Sequence, residues 1–166
     1  MFELKRISRD TLSGALAKAE RYRLLHEPEE AESICRDVLA VAPANQQAVV
    51  NLILALTDQI GHDARAFGRA LDTVECLDGA YERAYYSGIA WERRAKARHK
   101  GGGQGGNRYV YEWILKAMDL FEQAEPHRPP DNDDALLRWN ACVRYLGRHK
   151  ELSQAPEEMT EPIVLE

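Results

Sequence analysis

The side chains that could bind a metal ion are scattered along the sequence. The five histidines lie far apart, mostly next to predicted helix breaks: His26, His62, His99, His127 and His149. No two of them form a His-x-x-x-His pair, the spacing that presents two imidazole ligands on one helix face. The acidic run at 131–134 lacks the central glycine and distal glutamate of a calcium loop, and we interpret it as the cap of a helix. We therefore expect no metal site.

The three cysteines give no sign of redox or nucleophilic chemistry. Cys35, Cys76 and Cys142 are widely spaced, and each stands inside an apolar helical pattern. An odd number of dispersed cysteines predicts buried, reduced thiols and a reducing cytoplasm. No serine or cysteine has a neighbouring base in a recognisable nucleophile pattern. We expect no catalytic residues and no cofactor, so the protein is predicted not to be an enzyme.

The glycine-rich run at 101–106 satisfies the GxGxxG spacing of dinucleotide-binding loops. That function requires a preceding strand and a helix packed on a parallel sheet. Here a basic helical segment precedes the run, and no lysine follows the glycines as it does in a phosphate-binding loop. We interpret the run as a connector.

Basic residues cluster before this glycine run, and they form the strongest charge feature of the chain: Arg93, Arg94, Lys96, Arg98 and Lys100. Such a cluster is typical of a solvated helix end, but it could also dock an acidic partner or the acidic tail at 151–166. Nucleic acid is a less favoured partner, because the net charge is −5 and no aromatic platform accompanies the cations.

Length and composition predict one soluble domain with an ordinary core. The chain has 166 residues, of which 45% are hydrophobic and 30% charged. Its longest nearly apolar stretch, residues 48–56, is too short to span a membrane. The first residues lack the apolar core of an export signal, so we expect a cytoplasmic protein. We place one domain at 1–150 and an acidic tail at 151–166.

Hydrophobic periodicity is helical almost throughout and predicts an all-α protein. Seven helices are expected, ending at proline, glycine or acidic caps: 12–25, 28–43, 46–60, 64–77, 80–99, 109–125 and 131–146. No segment alternates with period two for long enough to predict a strand.

The helices pair into units that repeat. In the first pair, Ala19 and Ala31 place small side chains where two antiparallel helices would cross, with Tyr22 beside them. In the third pair, Gly88 and Trp91 take the small and aromatic places. The second helices continue the pattern with Leu39 and Pro43 in the first unit, and with Ala117, Phe121, Ala124 and Pro129 in the third.

This pattern resembles the tetratricopeptide repeat, whose period is 34 residues. The units begin near residues 12, 46 and 81, at intervals of 34 and 35. They span about 12–45, 46–79 and 81–130, the last with a basic, glycine-rich insertion at 92–110. The helix at 131–146 would cap the array. The resemblance implies an α-solenoid of antiparallel helix pairs.

The resemblance also implies a concave groove, lined by the first helix of each unit, that binds a peptide or a helix. The groove-facing places are Leu16, Glu20 and Arg23, then Gln47, Val50, Leu54 and Asp58, then Glu82, Tyr85, Ile89 and Glu92, with Leu136 and Asn140 from the cap. The Lys, Asn and Arg residues that clamp a chaperone's carboxylate in some family members are absent from these places.

These patterns predict a small bacterial adaptor, scaffold or chaperone-like protein that binds a segment of another protein in the groove. The alternative is a self-associating structural protein, such as a homodimer. The groove could also be covered by the N-terminal segment, the insertion or the tail. An enzyme or nucleic-acid binder using the basic insertion ranks lower.

Overall fold

A computed structural model describes residues 2–102 and 106–153. Within these ranges the protein is all-helical and has seven α-helices and no strand. They are α1 (Leu12–Leu24), α2 (Pro28–Val41), α3 (Gln46–Asp58), α4 (Ala66–Val74), α5 (Ala80–Gly101), α6 (Asn107–Ala124) and α7 (Asp134–Arg148). Short 3₁₀ turns lie at Arg9–Thr11, Glu125–His127 and Lys150–Leu152.

Local chemistry explains several helix ends. Pro28 is tolerated at the first position of α2, where no intrahelical N–H bond is lost. The Asn45 side chain accepts a hydrogen bond from the Ala48 N–H at 2.9 Å and caps α3. α5 ends at Gly101, and the next residue, Gly102, has a positive φ of 65°, a backbone conformation that favours glycine.

Successive helices pack against each other along the chain, and α1 also contacts α3, which contacts α5. In the α5–α6 pair, Tyr85 lies near Phe121 and Arg94 lies near Trp113. Advancing along α5 therefore means going backward along α6, so these two helices are antiparallel. The odd-numbered helices α1, α3 and α5 lie side by side, and we call their shared surface the α1–α3–α5 face.

The core follows the small residues that the sequence singled out. Ala19 and Ala31 are fully buried in one cluster between α1, α2 and α3. Gly88 lies so close to Phe121 that an added Cβ would stand 2.5 Å from the ring. Leu152, beyond α7, is fully buried against the cluster that holds Phe121. Close helix crossings therefore organise both halves of the chain.

The predicted helix bounds differ from the structure by a few residues. α4 is the shortest of the seven, spanning Ala66–Val74, because hydrogen-bonded turns at residues 59–66 and 73–77 replace its predicted ends. α5 and α6 instead extend into the predicted insertion at 92–110, so most of that insertion is helix. Residues 103–105 of the glycine-rich run and 154–166 of the acidic tail lie outside the described residues.

Candidate protein-binding face

A row of charges crosses the α1–α3–α5 face. Arg23 on α1 donates to the Asp58 carboxylate at the end of α3 through Nε, at 2.8 Å. Arg93 on α5 binds the other oxygen of Asp58. Arg93 also donates to the Thr57 hydroxyl at 2.6 Å and to the Leu54 carbonyl at 3.2 Å. One acidic side chain thus joins three helices, and we call Arg23, Asp58 and Arg93 the charge row.

A second polar group lies closer to the beginning of α3. Glu20 of α1 accepts hydrogen bonds from Gln47 at 3.3 Å and from Asn51 at 3.4 Å. Glu20 and Gln47 are exposed, whereas Asn51 is buried. The α1–α3 boundary is therefore held by polar contacts at two levels, and its outer members remain open to a partner.

Three of the predicted groove residues lie in the interior and offer no surface to a partner. Leu16 is 3% exposed and packs with Val38 and Ala48, at the seam of α1, α2 and α3. Ile89 is 1% exposed and belongs to the cluster between α5 and α6. Glu92 is also 1% exposed, bound by Lys96 and by Arg138 of α7. We correct their assignment from groove to core.

The other predicted groove residues are accessible to different extents. Gln47, Glu20, Asp58 and Asn140 are exposed, whereas Arg23, Val50, Leu54, Glu82, Tyr85 and Leu136 are half-buried. The Tyr85 ring stacks on Tyr81 at 5.6 Å and also meets Tyr86 at 5.1 Å. The apolar members of the face are therefore anchored in the core and expose only their edges.

The basic cluster is not one exposed patch. Arg93 belongs to the charge row, and Lys96 binds the buried Glu92. The Arg94 guanidinium lies over the Phe67 and Trp113 rings, 4.1 Å from each centroid. Burial lowers the pKa of Arg94, and contact with the ring faces compensates its charge in part. Of the five predicted cations, Arg98 and Lys100 are exposed.

Two clefts flank the end of α3. One, of about 440 Å³, lies toward α1 and is lined by Arg23, His26 and Glu29 together with Asp58 and His62. The other, of about 630 Å³, lies toward α5 and is lined by Arg93, Lys96 and Lys100 with the same Asp58 and His62. Arg93 and Lys96 in the second cleft are paired with Asp58 and Glu92, so the exposed Lys100 is the residue through which this cleft could attract an acidic group.

The cysteines match their prediction in part. Cys35 and Cys142 are buried free thiols, and burial raises the pKa of Cys35 to about 11 and that of Cys142 to about 12. Such thiols are poor nucleophiles at neutral pH. Cys76 is exposed, which corrects its predicted burial, because α4 ends at Val74 and leaves Cys76 in the following turn.

Two histidines that the sequence keeps far apart meet in the structure. His99 near the end of α5 and His149 just beyond α7 have ring centroids 4.7 Å apart. Sequence spacing could not show this, because the contact depends on how α7 returns to the end of α5. The signal that was available is weaker: both histidines stand at the ends of predicted helices.

The sequence matches no protein-family model and shows no significant match to a curated protein. The likeness to tetratricopeptide repeats thus rests on the residues of this chain. Among the described residues, no helix combines the length and apolar character needed to cross a membrane.

Proposed function

We propose that the protein is a non-catalytic adaptor or scaffold whose α1–α3–α5 face binds a segment of another protein. The charge row carries this proposal. Arg23, Asp58 and Arg93 follow one another at intervals of 35 residues and occupy neighbouring helices at one level. Equivalent positions on successive first helices are what a tetratricopeptide-like array would provide.

The distribution of charge suggests the chemistry of the bound segment. At one end of the face, Glu20 and Glu82 would favour basic side chains. At the other end, the exposed Lys100 in the cleft toward α5 would favour an acidic side chain or a carboxylate terminus. The apolar edges of Val50, Leu54 and Tyr85 lie between these ends and would contact the apolar side chains of the segment.

The accessible cations give less support to a nucleic-acid partner. Arg93, Arg94 and Lys96 are engaged by Asp58, aromatic rings and Glu92, so the basic cluster presents fewer cations than its sequence suggests. Phosphate binding depends on the number of accessible cations. A protein partner fits the mixed charge of the face better.

Self-association is the second candidate. It is favoured by large apolar side chains on the surface at the end of α1, where Leu24 is 80% exposed and Leu25 is 58% exposed. Phe2 and Leu4 of the N-terminal segment are also fully exposed. Apolar groups in this number mark interaction surfaces. A second copy could therefore contact either the C-terminal end of α1 or the N-terminal segment.

Affinity capture from a bacterial lysate tests the main proposal with charge-reversal variants. Glu20→Lys with Lys100→Glu reverses both ends of the face and leaves the net charge unchanged. The matched control, Glu30→Lys with Lys116→Glu, places the same changes on exposed positions of α2 and α6. We expect proteins that the wild type and the control retain to be lost by the face variant.

Equal retention of the same proteins by the wild type and both variants would overturn the proposal. Circular dichroism of each variant checks that it is folded. Light scattering over a range of concentrations tests the second candidate, because a homodimer would double the mass as concentration rises, and Leu24→Glu with Leu25→Glu should then keep the chain monomeric.

A further inference from the structure

Three potential metal ligands converge where the C-terminal end of α5 meets the segment after α7. They are His99 near the end of α5, His149 directly after α7, and Glu151 in the 3₁₀ turn Lys150–Leu152. One donor atom of each lies within 4.8 Å of the donor atoms of the other two. Three ligands from two separate parts of the chain are thus presented to one point.

The separations around Glu151 fit a tetrahedral ion. Glu151 Oε1 lies 3.1 Å from His149 Nδ1 and 3.7 Å from His99 Nε2. Bonds of about 2.0–2.1 Å at tetrahedral angles place neighbouring ligand atoms roughly 3.4 Å apart. The two distances to Glu151 are within a few tenths of an ångström of this value, and the histidine donor atoms, which lie within 4.8 Å of each other, would have to move together to bind one ion.

The surroundings of His99 fix which of its nitrogens is available. His99 Nδ1 lies 2.5 Å from the Tyr145 hydroxyl, so this nitrogen is engaged and Nε2 points toward Glu151. Metal-binding histidines characteristically hydrogen-bond an oxygen through their second nitrogen, which holds the ring in place. Tyr145 supplies that partner here, with its ring 5.8 Å from the His99 ring.

We propose that His99, His149 and Glu151 form a zinc-binding site. Two imidazoles and one carboxylate are a donor set that suits Zn²⁺, whereas Mg²⁺ and Ca²⁺ prefer oxygen ligands alone. Three protein ligands leave the fourth position for water. Glu151 is half-exposed at 53%, so solvent and the ion can reach the site.

Zinc at this point would fasten the end of the described chain to α5. Leu152 follows Glu151 directly and is fully buried in the core cluster of α5, α6 and α7. An ion held by His99 would therefore stabilise the docking of the turn Lys150–Leu152. The role inferred for the ion is structural, because it would hold the turn Lys150–Leu152 against α5. Binding should raise the melting temperature, because the ligands converge only in the folded chain.

Isothermal titration of the whole chain with Zn²⁺ tests the proposal, with Cys76→Ser present throughout to remove the exposed thiol. We expect one zinc ion per chain and no comparable heat with Mg²⁺. His149→Ala should abolish binding, whereas His127→Ala, which removes an exposed histidine elsewhere, should not change it. Tyr145→Phe should weaken binding by about 10–100-fold, because the ring remains but the hydroxyl that orients His99 is lost.

Melting curves with and without Zn²⁺ provide a second readout on the same variants. The zinc-dependent rise in melting temperature should disappear in His149→Ala and survive in His127→Ala. If His149→Ala does not fold, Glu151→Gln is used in its place in both measurements, because this substitution changes a half-exposed side chain. Zinc binding that is absent from the wild type, or equal in the wild type and these site variants, would overturn the proposal.

Discussion

Two carboxylates tie helices together in different halves of the molecule, and they do so at different depths. Glu32 of α2 is 12% exposed and binds Arg36 at 2.7 Å and Arg69 of α4 at 2.5 Å. It also accepts a hydrogen bond from Gln59, next to α3, at 2.8 Å. Glu92 of α5 is 1% exposed and is bound by Lys96 and Arg138.

The two carboxylates differ in their hydrogen bonds as well as in how deeply they are buried. Burial alone would raise the pKa of Glu32, but hydrogen bonds from Gln59 and Arg36 and the charge of Arg69 lower it. Glu92 Oε2 receives no hydrogen bond from any residue in the described chain, and its cation Arg138 is 3.5 Å away. Both oxygens of the shallower carboxylate thus accept hydrogen bonds, whereas in the deeper one Oε1 accepts a hydrogen bond from Lys96 and Oε2 faces Arg138 without one.

The helix crossings of the two halves also differ, and the crossing in the second half is the more closely packed. Between α1 and α2, two alanines, Ala19 and Ala31, meet in the core. Between α5 and α6, Gly88 faces the large ring of Phe121 with no room for a methyl group. The second half is therefore more tightly determined, both in its packing and in its buried charge, and should tolerate less change.

Removing the cations of Glu92 should have the largest effect. Lys96→Met with Arg138→Met keeps much of the side-chain volume but leaves a buried carboxylate without a counter-charge. Loss of a partner from a buried ion pair costs about 3–5 kcal/mol. Because both cations are 38% exposed, we expect about 3 kcal/mol, measured as the free energy of unfolding in urea.

The matched control is Arg98→Met with Arg144→Met, which removes two exposed cations from the same helices, α5 and α7. Exposed charges contribute little, so this variant should stay within about 1 kcal/mol of the wild type. Similar losses in the two double variants would show that Glu92 does not need its cations.

Glu32→Gln should have an intermediate effect that depends on pH. Hydrogen bonds to a charged group contribute about 1.5–3 kcal/mol each, so we expect a loss of about 2 kcal/mol at neutral pH. Because the pKa of Glu32 is lowered in the folded chain, its contribution is present above the pKa of the unfolded chain. It is lost as pH falls through the folded value. Urea unfolding from pH 7 to pH 3 measures the difference from wild type.

That difference should shrink as the solution becomes acidic, since the wild-type carboxylate is then protonated as well. Glu30→Gln, an exposed change on the same helix, should follow the wild type at every pH. A Glu32→Gln deficit that stays constant down to pH 3 would contradict the role assigned to the charge.

The parts of the fold that follow from local patterns were predictable, and the parts that depend on how helices dock were not. Hydrophobic periodicity predicted seven helices, and small-residue spacing predicted that Ala19 and Ala31 lie at a helix crossing, where the structure buries them. The resemblance to tetratricopeptide repeats implied that Leu16 and Ile89 line the groove, but a repeat pattern does not show which edge of a helix meets its neighbour. The structure buries both residues.

In the candidate site, too, some features were predictable from the sequence and others depend on how the helices dock. The predicted positions Arg23 and Asp58 do meet across the α1–α3–α5 face. Arg93 was predicted to belong to a basic cluster that is either a solvated helix end or a docking site for an acidic partner or the acidic tail, since the sequence cannot show that its guanidinium turns toward Asp58. The meeting of His99 with His149 is a tertiary contact across 50 residues, and no helical or loop spacing encodes it.

Adding a single methyl group should change the free energy of unfolding by less than the substitutions above. The sign of this change should differ between the two halves of the molecule. Gly88→Ala places a Cβ 2.5 Å from a ring carbon of Phe121, and overpacking of this kind costs about 1–3 kcal/mol. Alanine also improves helix formation by about 1 kcal/mol over glycine. The net result should be a loss of about 1 kcal/mol in the free energy of unfolding.

Gly68→Ala in α4 is the matched change in the first half. No atom lies within 4 Å of the added Cβ, so the helix-forming gain of up to about 1 kcal/mol should appear without a packing cost. Urea unfolding of both variants beside the wild type gives the comparison. Stabilisation by both substitutions would mean that Phe121 moves aside at little cost, and the α5–α6 crossing would then be no more constrained than the rest of the molecule.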